Sequence, residues 1–270
     1  MSYTDWLGYI LDGIGTNQAG FNIKNYIKPL MSKLNNFQAH TAEDIKLLEN
    51  AVSNERSFGK DEDVIQEGDK SRHVYLVVKG WVSRYRLNMH GKVQTLNFHI
   101  PGDFCNLHTN LAHCIEYSIG TVAPSVIAYI PHERIEEISR ENHRLARSFN
   151  WLAFNEFSIL QEWLLNVGSR PSHQRLAHLI CELLIRVRAA GLTEDHHFYL
   201  PLTQAQLSEA MGITVVHTNR VMMRLRAEGL ITFEGRRVEV TDWPGLKKYA
   251  DFKVRYLHLD NAEPNLIKDL

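Results

Sequence analysis

The sequence predicts an α+β protein in three parts: a β-rich N-terminal roll, one long helix, and a C-terminal pair of short helices followed by a hairpin. Three observations carry this. Short β-rich runs punctuated by glycine fill residues 63–131. Apolar residues recur at three-, four- and seven-residue spacing over 143–167. Two capped helical segments joined by Gly212 precede an arginine-containing turn. A length of 270 residues suits two domains. The expected division is an appendage at 1–23, the roll at 24–142, the long helix at 143–168, a second domain at 169–250 and a tail at 251–270.

Residues 1–21 carry Gly8, Gly13, Gly15 and Gly20 among apolar residues, and no role is assigned to them. Residues 24–50 read as helical, with Thr41 as a cap and Asp44 three residues on. The strands expected in the roll are Val74–Val78, Trp81–Leu87, Val93–Ile100, Ile119–Val122 and Val126–Ile130. Their corners fall at Glu67-Gly68-Asp69, Lys79-Gly80, His90-Gly91-Lys92, Pro101-Gly102-Asp103 and Ala123-Pro124.

The long helix carries two apolar stripes. Leu145, Phe149, Leu152, Ile159 and Trp163 form one; Ala153, Phe157, Leu160, Leu164 and Val167 belong to the other. An apolar arc that wide must bury on two sides, so we expect its own domain on one and a second copy of the chain on the other. Gly168 and Pro171 are expected to break it. A further helix follows over 172–190, then a polar loop at 193–197.

Residues 201–240 carry the functional signal. Thr203 caps a short helix ending near Met211, Gly212 makes the turn, and Thr214 caps a second helix running to about Glu228. This is the pattern of a helix-turn-helix. Ala205, Leu207, Ala210 and Met211 should face inward from the first helix, and Val221, Met222 and Leu225 from the second. Arg220, Arg224 and Arg226 stand on the second helix, with no acid between Thr214 and Ala227. Leu230–Phe233 and Arg237–Val240 then pair as a two-stranded wing, with Arg236 and Arg237 at its tip. A net charge of -1 excludes a uniformly basic, histone-like protein but leaves room for a local basic patch, and these residues supply one aimed at double-stranded DNA.

The chain resembles the Crp/Fnr family of bacterial transcription regulators over about residues 30–245. The matching pieces are Glu67-Gly68-Asp69, Val77-Val78-Lys79-Gly80, Pro101-Gly102-Asp103-Phe104, the long helix and Leu202–Ile231. The resemblance implies a cyclic-nucleotide-binding-like jelly roll, a dimerisation helix and a winged helix-turn-helix. It also implies DNA, a second copy, RNA polymerase and a small-molecule effector as partners. The family's base readers fall on Val215, Val216, Asn219 and Arg220. Arg220 suits a bidentate contact to guanine, whereas Val216 replaces a polar reader and suits a thymine methyl, so a divergent half-site is expected. Thr203, Gln204, Thr214 and His217 are expected on phosphates, with Arg224 and Arg236 adding charge.

The sensor signal is mostly negative. Phe104, Leu107, His108, Tyr117 and Ser118 mark the expected ligand pocket. Cyclic-AMP-binding members place a glutamate where this chain has Leu107 and an arginine where it has Tyr117, so the standard mode of cyclic AMP binding is not expected, and the effector stays unassigned. No cysteine precedes Cys105, so the N-terminal iron–sulfur cluster of oxygen-sensing members is not expected.

Cys105, His108, His113 and Cys114 have ligand-type spacing for a metal or a redox centre. Against this, neighbours at 113 and 114 point apart on a strand, and small buried cysteines are the plainer account. No cofactor or metal is assigned. Cys181, on an apolar helix, is expected in the core. Three cysteines fit a reducing cytoplasm, and no apolar run is long enough to span a membrane. No paired carboxylates or nucleophile motif points to an enzyme.

Overall fold

The computed structural model describes residues 27–107, 109–111, 114–193 and 195–259. The expected appendage at 1–23 lies outside the described residues, as do His108, His113 and the last part of the tail.

Two helices open the described chain: α1 (Lys28–Asn35) and α2 (Ala42–Ala51). Thr41 caps α2 as expected: its hydroxyl accepts from the Asp44 backbone N–H, and the Asp44 carboxylate accepts from the Thr41 N–H. The roll consists of β1 (Asn54–Phe58), β2 (Asp63–Ile65), β3 (His73–Lys79), β4 (Val82–Leu87), β5 (Val93–His99), β6 (Ser118–Thr121) and β7 (Ser125–Pro131). They form two antiparallel sheets, ordered β1-β7-β3 and β2-β6-β4-β5.

Five of these strands match the expected runs. β1 and β2 carry too little signal: β1 is Asn-Glu-Arg-Ser-Phe with only Phe58 buried, and β2 is three residues long. Gly102, at φ +86, sits in the corner after β5. A Cβ there would lie 2.6 Å from the Pro29 carbonyl carbon, so this corner lets α1 press against the roll.

Next come α3 (His132–Glu141) and the long helix α4 (His143–Ser169), capped by the Asn142 side chain. The inner stripe splits between two cores. Leu145 and Phe149 pack with α1 and the roll, while Ile159 and Trp163 join the core of the C-terminal domain. On the outer stripe Phe157 and Leu164 remain 56% and 75% exposed, and Phe154 beside them is 55% exposed. The helix does not break at Gly168, which lies inside it. It ends before Pro171, where the missing N–H and the restriction on Arg170 stop the ladder.

The C-terminal domain holds α5 (Ser172–Ala189), β8 (His197–Tyr199), α6 (Gln204–Met211), α7 (Val215–Ala227), β9 (Ile231–Glu234), β10 (Arg237–Val240) and α8 (Trp243–Tyr249). The wing is a three-stranded sheet, β8-β10-β9, and not the two-stranded hairpin expected. The supposed loop at 193–197 ends in β8, whose single buried residue, Phe198, gave no periodicity to read. Ala205, expected inward, is exposed. The expected tail is packed as far as Leu259: a single 3-10 turn, Val254–Leu257, lies along α4, where Asn155 Nδ2 donates to the Leu257 carbonyl at 2.5 Å.

The two domains are joined by buried charge. Asp103 accepts from Lys33 Nζ at 2.5 Å and from Arg186 Nη2 at 3.1 Å. Arg186 also reaches Glu182, Asn97 and the Phe98 carbonyl. Glu182 is fully buried, and it further accepts from Trp163 Nε1 and the Tyr256 hydroxyl. Roll, long helix and C-terminal domain thus share one polar network.

Candidate nucleic-acid interface

The two short helices are built as their caps dictate. Thr203 and Gln206 form a reciprocal capping box at the start of α6. Gly212 ends that helix at φ +62. The Thr214 hydroxyl then accepts from the His217 N–H at 3.2 Å and starts α7. Thr218, Val221, Met222 and Leu225 bury one face of α7 against α5 and α6.

The opposite face is open. Val215, Val216, Asn219, Arg220, Met223, Arg224 and Arg226 are all exposed, with Val216 at 62%. Arg220 makes no hydrogen bond or ion pair with any described residue, so its guanidinium keeps all its donors for a ligand. Asn219 Nδ2 donates to Gln204 Oε1 at 3.2 Å, tying the expected reader to the start of α6. Beside it runs an open groove between α6, α7 and the wing. Thr203, Gln204, Asn219 and Arg236 line it together, joined by Met223 and Arg226. Met223 was not among the expected contacts and Arg226 was expected only as part of the basic patch, though positions 219, 223 and 226 fall on one helical face.

Other expected contacts are already engaged. His217 Nε2 meets Ser172 Oγ at 2.8 Å, at the start of α5. Arg224 pairs with Glu228 at 2.7 Å and lies over the Tyr249 ring. Arg236 is exposed on the wing but donates to the Pro201 carbonyl at 3.3 Å. Arg237 is half-buried within β10 and not a free cation at the wing tip.

The roll fills the Tyr117 side of its own expected pocket. Tyr117 lies beneath the Arg84 guanidinium at 4.2 Å, and burial pushes its phenol up to about 12. Arg84 also donates to the Cys105 carbonyl and pairs with Glu156 of α4 at 2.5 Å. The Ser118 hydroxyl accepts from the Glu67 N–H. Phe104 packs edge-on against Phe149, and Leu107 is buried.

Sequence reasoning missed Arg84. The signal was its parity in β4, where it shares the inward face with Val82. Of the proposed metal ligands, Cys105 is fully buried with its thiol pushed up by desolvation, and Cys114 is exposed; their two histidine companions lie outside the described residues. Cys181 is in the core as expected. Among the described residues no helix is long and apolar enough to cross a membrane.

Two family models match: the cyclic nucleotide-binding domain over residues 55–142 and the Crp-like helix-turn-helix domain over residues 174–249, together more than half of the chain. The chain is 26% identical over 202 residues to the transcriptional activator protein anr of Pseudomonas aeruginosa, covering 75% of this chain and 82% of that one. It is 23% identical over 204 residues to the regulatory protein HlyX of Actinobacillus pleuropneumoniae, covering 73% and 82%. Among solved structures, FixK2 from Bradyrhizobium japonicum has the same fold, with a TM-score of 0.66 at 22% identity over 73% of this chain and 96% of that one.

Proposed function

The chain belongs to the Crp/Fnr family of transcription regulators, and from that premise we propose that it works as a homodimer whose two α7 helices read a palindromic operator. One observation carries the reading: the outer face of α7 presents Arg220, without a partner among the described residues, beside exposed Val215, Val216 and Asn219. A helix with this face fits the major groove, its N-terminal residues toward base edges. We assign base contacts to Val215, Val216, Asn219 and Arg220. Phosphate contacts fall to Thr203, Gln204, Thr214, Arg226 and Arg236. His217 and Arg224 serve first to hold α7 in place, through Ser172 and Glu228.

Activation through RNA polymerase is the proposed output, in keeping with the activators among the relatives, and the cytoplasm is the proposed compartment. Cyclic AMP in the standard mode is not the proposed signal. The Tyr117 ring and the Arg84–Glu156 pair fill the place where a cyclic phosphate would need a free cation.

Selection of duplexes from a random pool, followed by titration at two salt concentrations, tests the reading. We expect a palindrome with half-sites about one helical turn apart and a steep salt dependence, each phosphate contact adding about 0.9 to the logarithmic slope. Recovery of no symmetric sequence, or binding indifferent to salt, overturns it.

A further inference from the structure

A second cavity adjoins the closed cyclic-nucleotide position and shares Phe104 and Leu107 with it. It takes in about 730 Å³, open solvent included, between β5 and its corner, α1, α4, α5 and the C-terminal segment. Neither Tyr117 nor Ser118 lines it. Its walls are largely apolar, with Phe104, Leu107, Ile159 and Leu257 among them, as the walls of small-molecule sites are.

The polar part of the wall is specific. Lys33 is paired with Asp103, Arg186 with Asp103 and Glu182, and Glu156 with Arg84. Every charged side chain in the wall therefore has a partner of opposite sign. A phosphate or carboxylate entering here would find no spare cation and would lose its hydration without replacement. Asn97 accepts from Arg186, and Asn36 donates to the Ala189 carbonyl. His99 is the exception: it lines the cavity, is 2% exposed, and its Nε2 has no hydrogen-bond partner among the described residues. An orphaned buried polar atom costs stability unless a ligand or water satisfies it.

We propose that this cavity is the effector site of the protein, and that it takes an uncharged, mainly apolar organic molecule with one hydrogen-bonding group that meets His99. The proposal rests on reading the roll as a sensor domain. A molecule held there touches the long helix and the first helix of the DNA-binding domain at once, the placement an effector needs to favour one domain arrangement over another.

The test uses the full-length protein and prodan, an uncharged naphthalene ketone whose fluorescence reports an apolar surround. We expect saturable binding of one prodan per chain. Naphthol should displace it, while hexanoate and cyclic AMP at equal concentration should not. His99→Leu should weaken binding about tenfold, as loss of one buried hydrogen bond implies. Leu259→Trp, which fills the cavity from its edge, should abolish it. Thermal melting of each variant identifies any that fails to fold, and the other then carries the test. Absence of saturable binding, wild-type affinity in the folded variants, or displacement by hexanoate or cyclic AMP overturns the proposal. Duplex binding without prodan binding sinks the cavity alone; prodan binding without duplex binding sinks the regulator reading alone.

Discussion

Asp103 is a single carboxylate on which two domains lean. Burial raises its pKa, but Lys33 and Arg186 outweigh that and hold it well below the usual carboxylate range. Its folded value thus lies beneath its unfolded value of about 4, so it adds stability above that pH and loses it as the pH falls toward the folded value. Wild-type stability should therefore decline on acidification below pH about 4. Asp103→Asn should cost about 3–5 kcal/mol at neutral pH, because it strands Lys33 and weakens the hold on Arg186. Urea unfolding across pH checks both: the variant should also show a shallower acid slope, and an unchanged slope would sink the assignment. Arg220 poses the opposite case, since it makes no hydrogen bond or ion pair among the described residues. Arg220→Ala should leave urea unfolding within about 0.5 kcal/mol of wild type. It should weaken binding to the selected operator by about 1–3 kcal/mol and relax preference at one base pair; a titration showing equal affinity would remove it from the interface.

At the scale of elements, the turn between α6 and α7 sets how the reading helix is presented. A Cβ on Gly212 would lie 3.6 Å from Val167, an ordinary contact, so the constraint there is backbone conformation and not space. Gly212→Ala should therefore destabilise by about 1–2 kcal/mol, and Gly212→Asn by less, because asparagine tolerates the left-handed region. Equal stability of alanine and glycine in chemical denaturation would mean that the turn relaxes. This turn was legible in the sequence, as were the Thr41, Thr203 and Thr214 caps, because each depends on residues within four positions. What escaped was non-local. β8 is a strand only because Tyr199, Phe198 and His197 meet Arg237, Val238 and Glu239 across a long connection. β1 is a strand only because β7 offers it an edge. The same holds for the site. Arg220 and Asn219 were readable from position on a helix. The ties of His217 to Ser172 and of Arg84 to Glu156 span 45 and 72 residues, and no local pattern announces them.

The whole molecule turns on the outer face of α4. A helix of 27 residues is about 40 Å long, and it leaves Phe157 and Leu164 exposed one heptad apart. Phe154, three residues before Phe157, is partly covered by the His258 ring at 4.8 Å, so the C-terminal segment flanks this face and leaves the lower part open. In the dimer we propose, two copies would meet along Phe157 and Leu164, bury the outer stripe of each in the manner of a short coiled coil, and set two α7 helices at a fixed separation. Phe157→Glu or Leu164→Glu places a like charge from each copy into that seam. Each should shift sedimentation from dimer to monomer without lowering helix content, since both side chains are exposed within one chain. A monomer reaches only one half-site at a time, so operator affinity should fall by about 100-fold or more, while affinity for an isolated half-site stays near that of wild type. If either variant remained dimeric with full operator affinity, the pairing surface would have to lie elsewhere, and the spacing expected between half-sites would lose its structural basis.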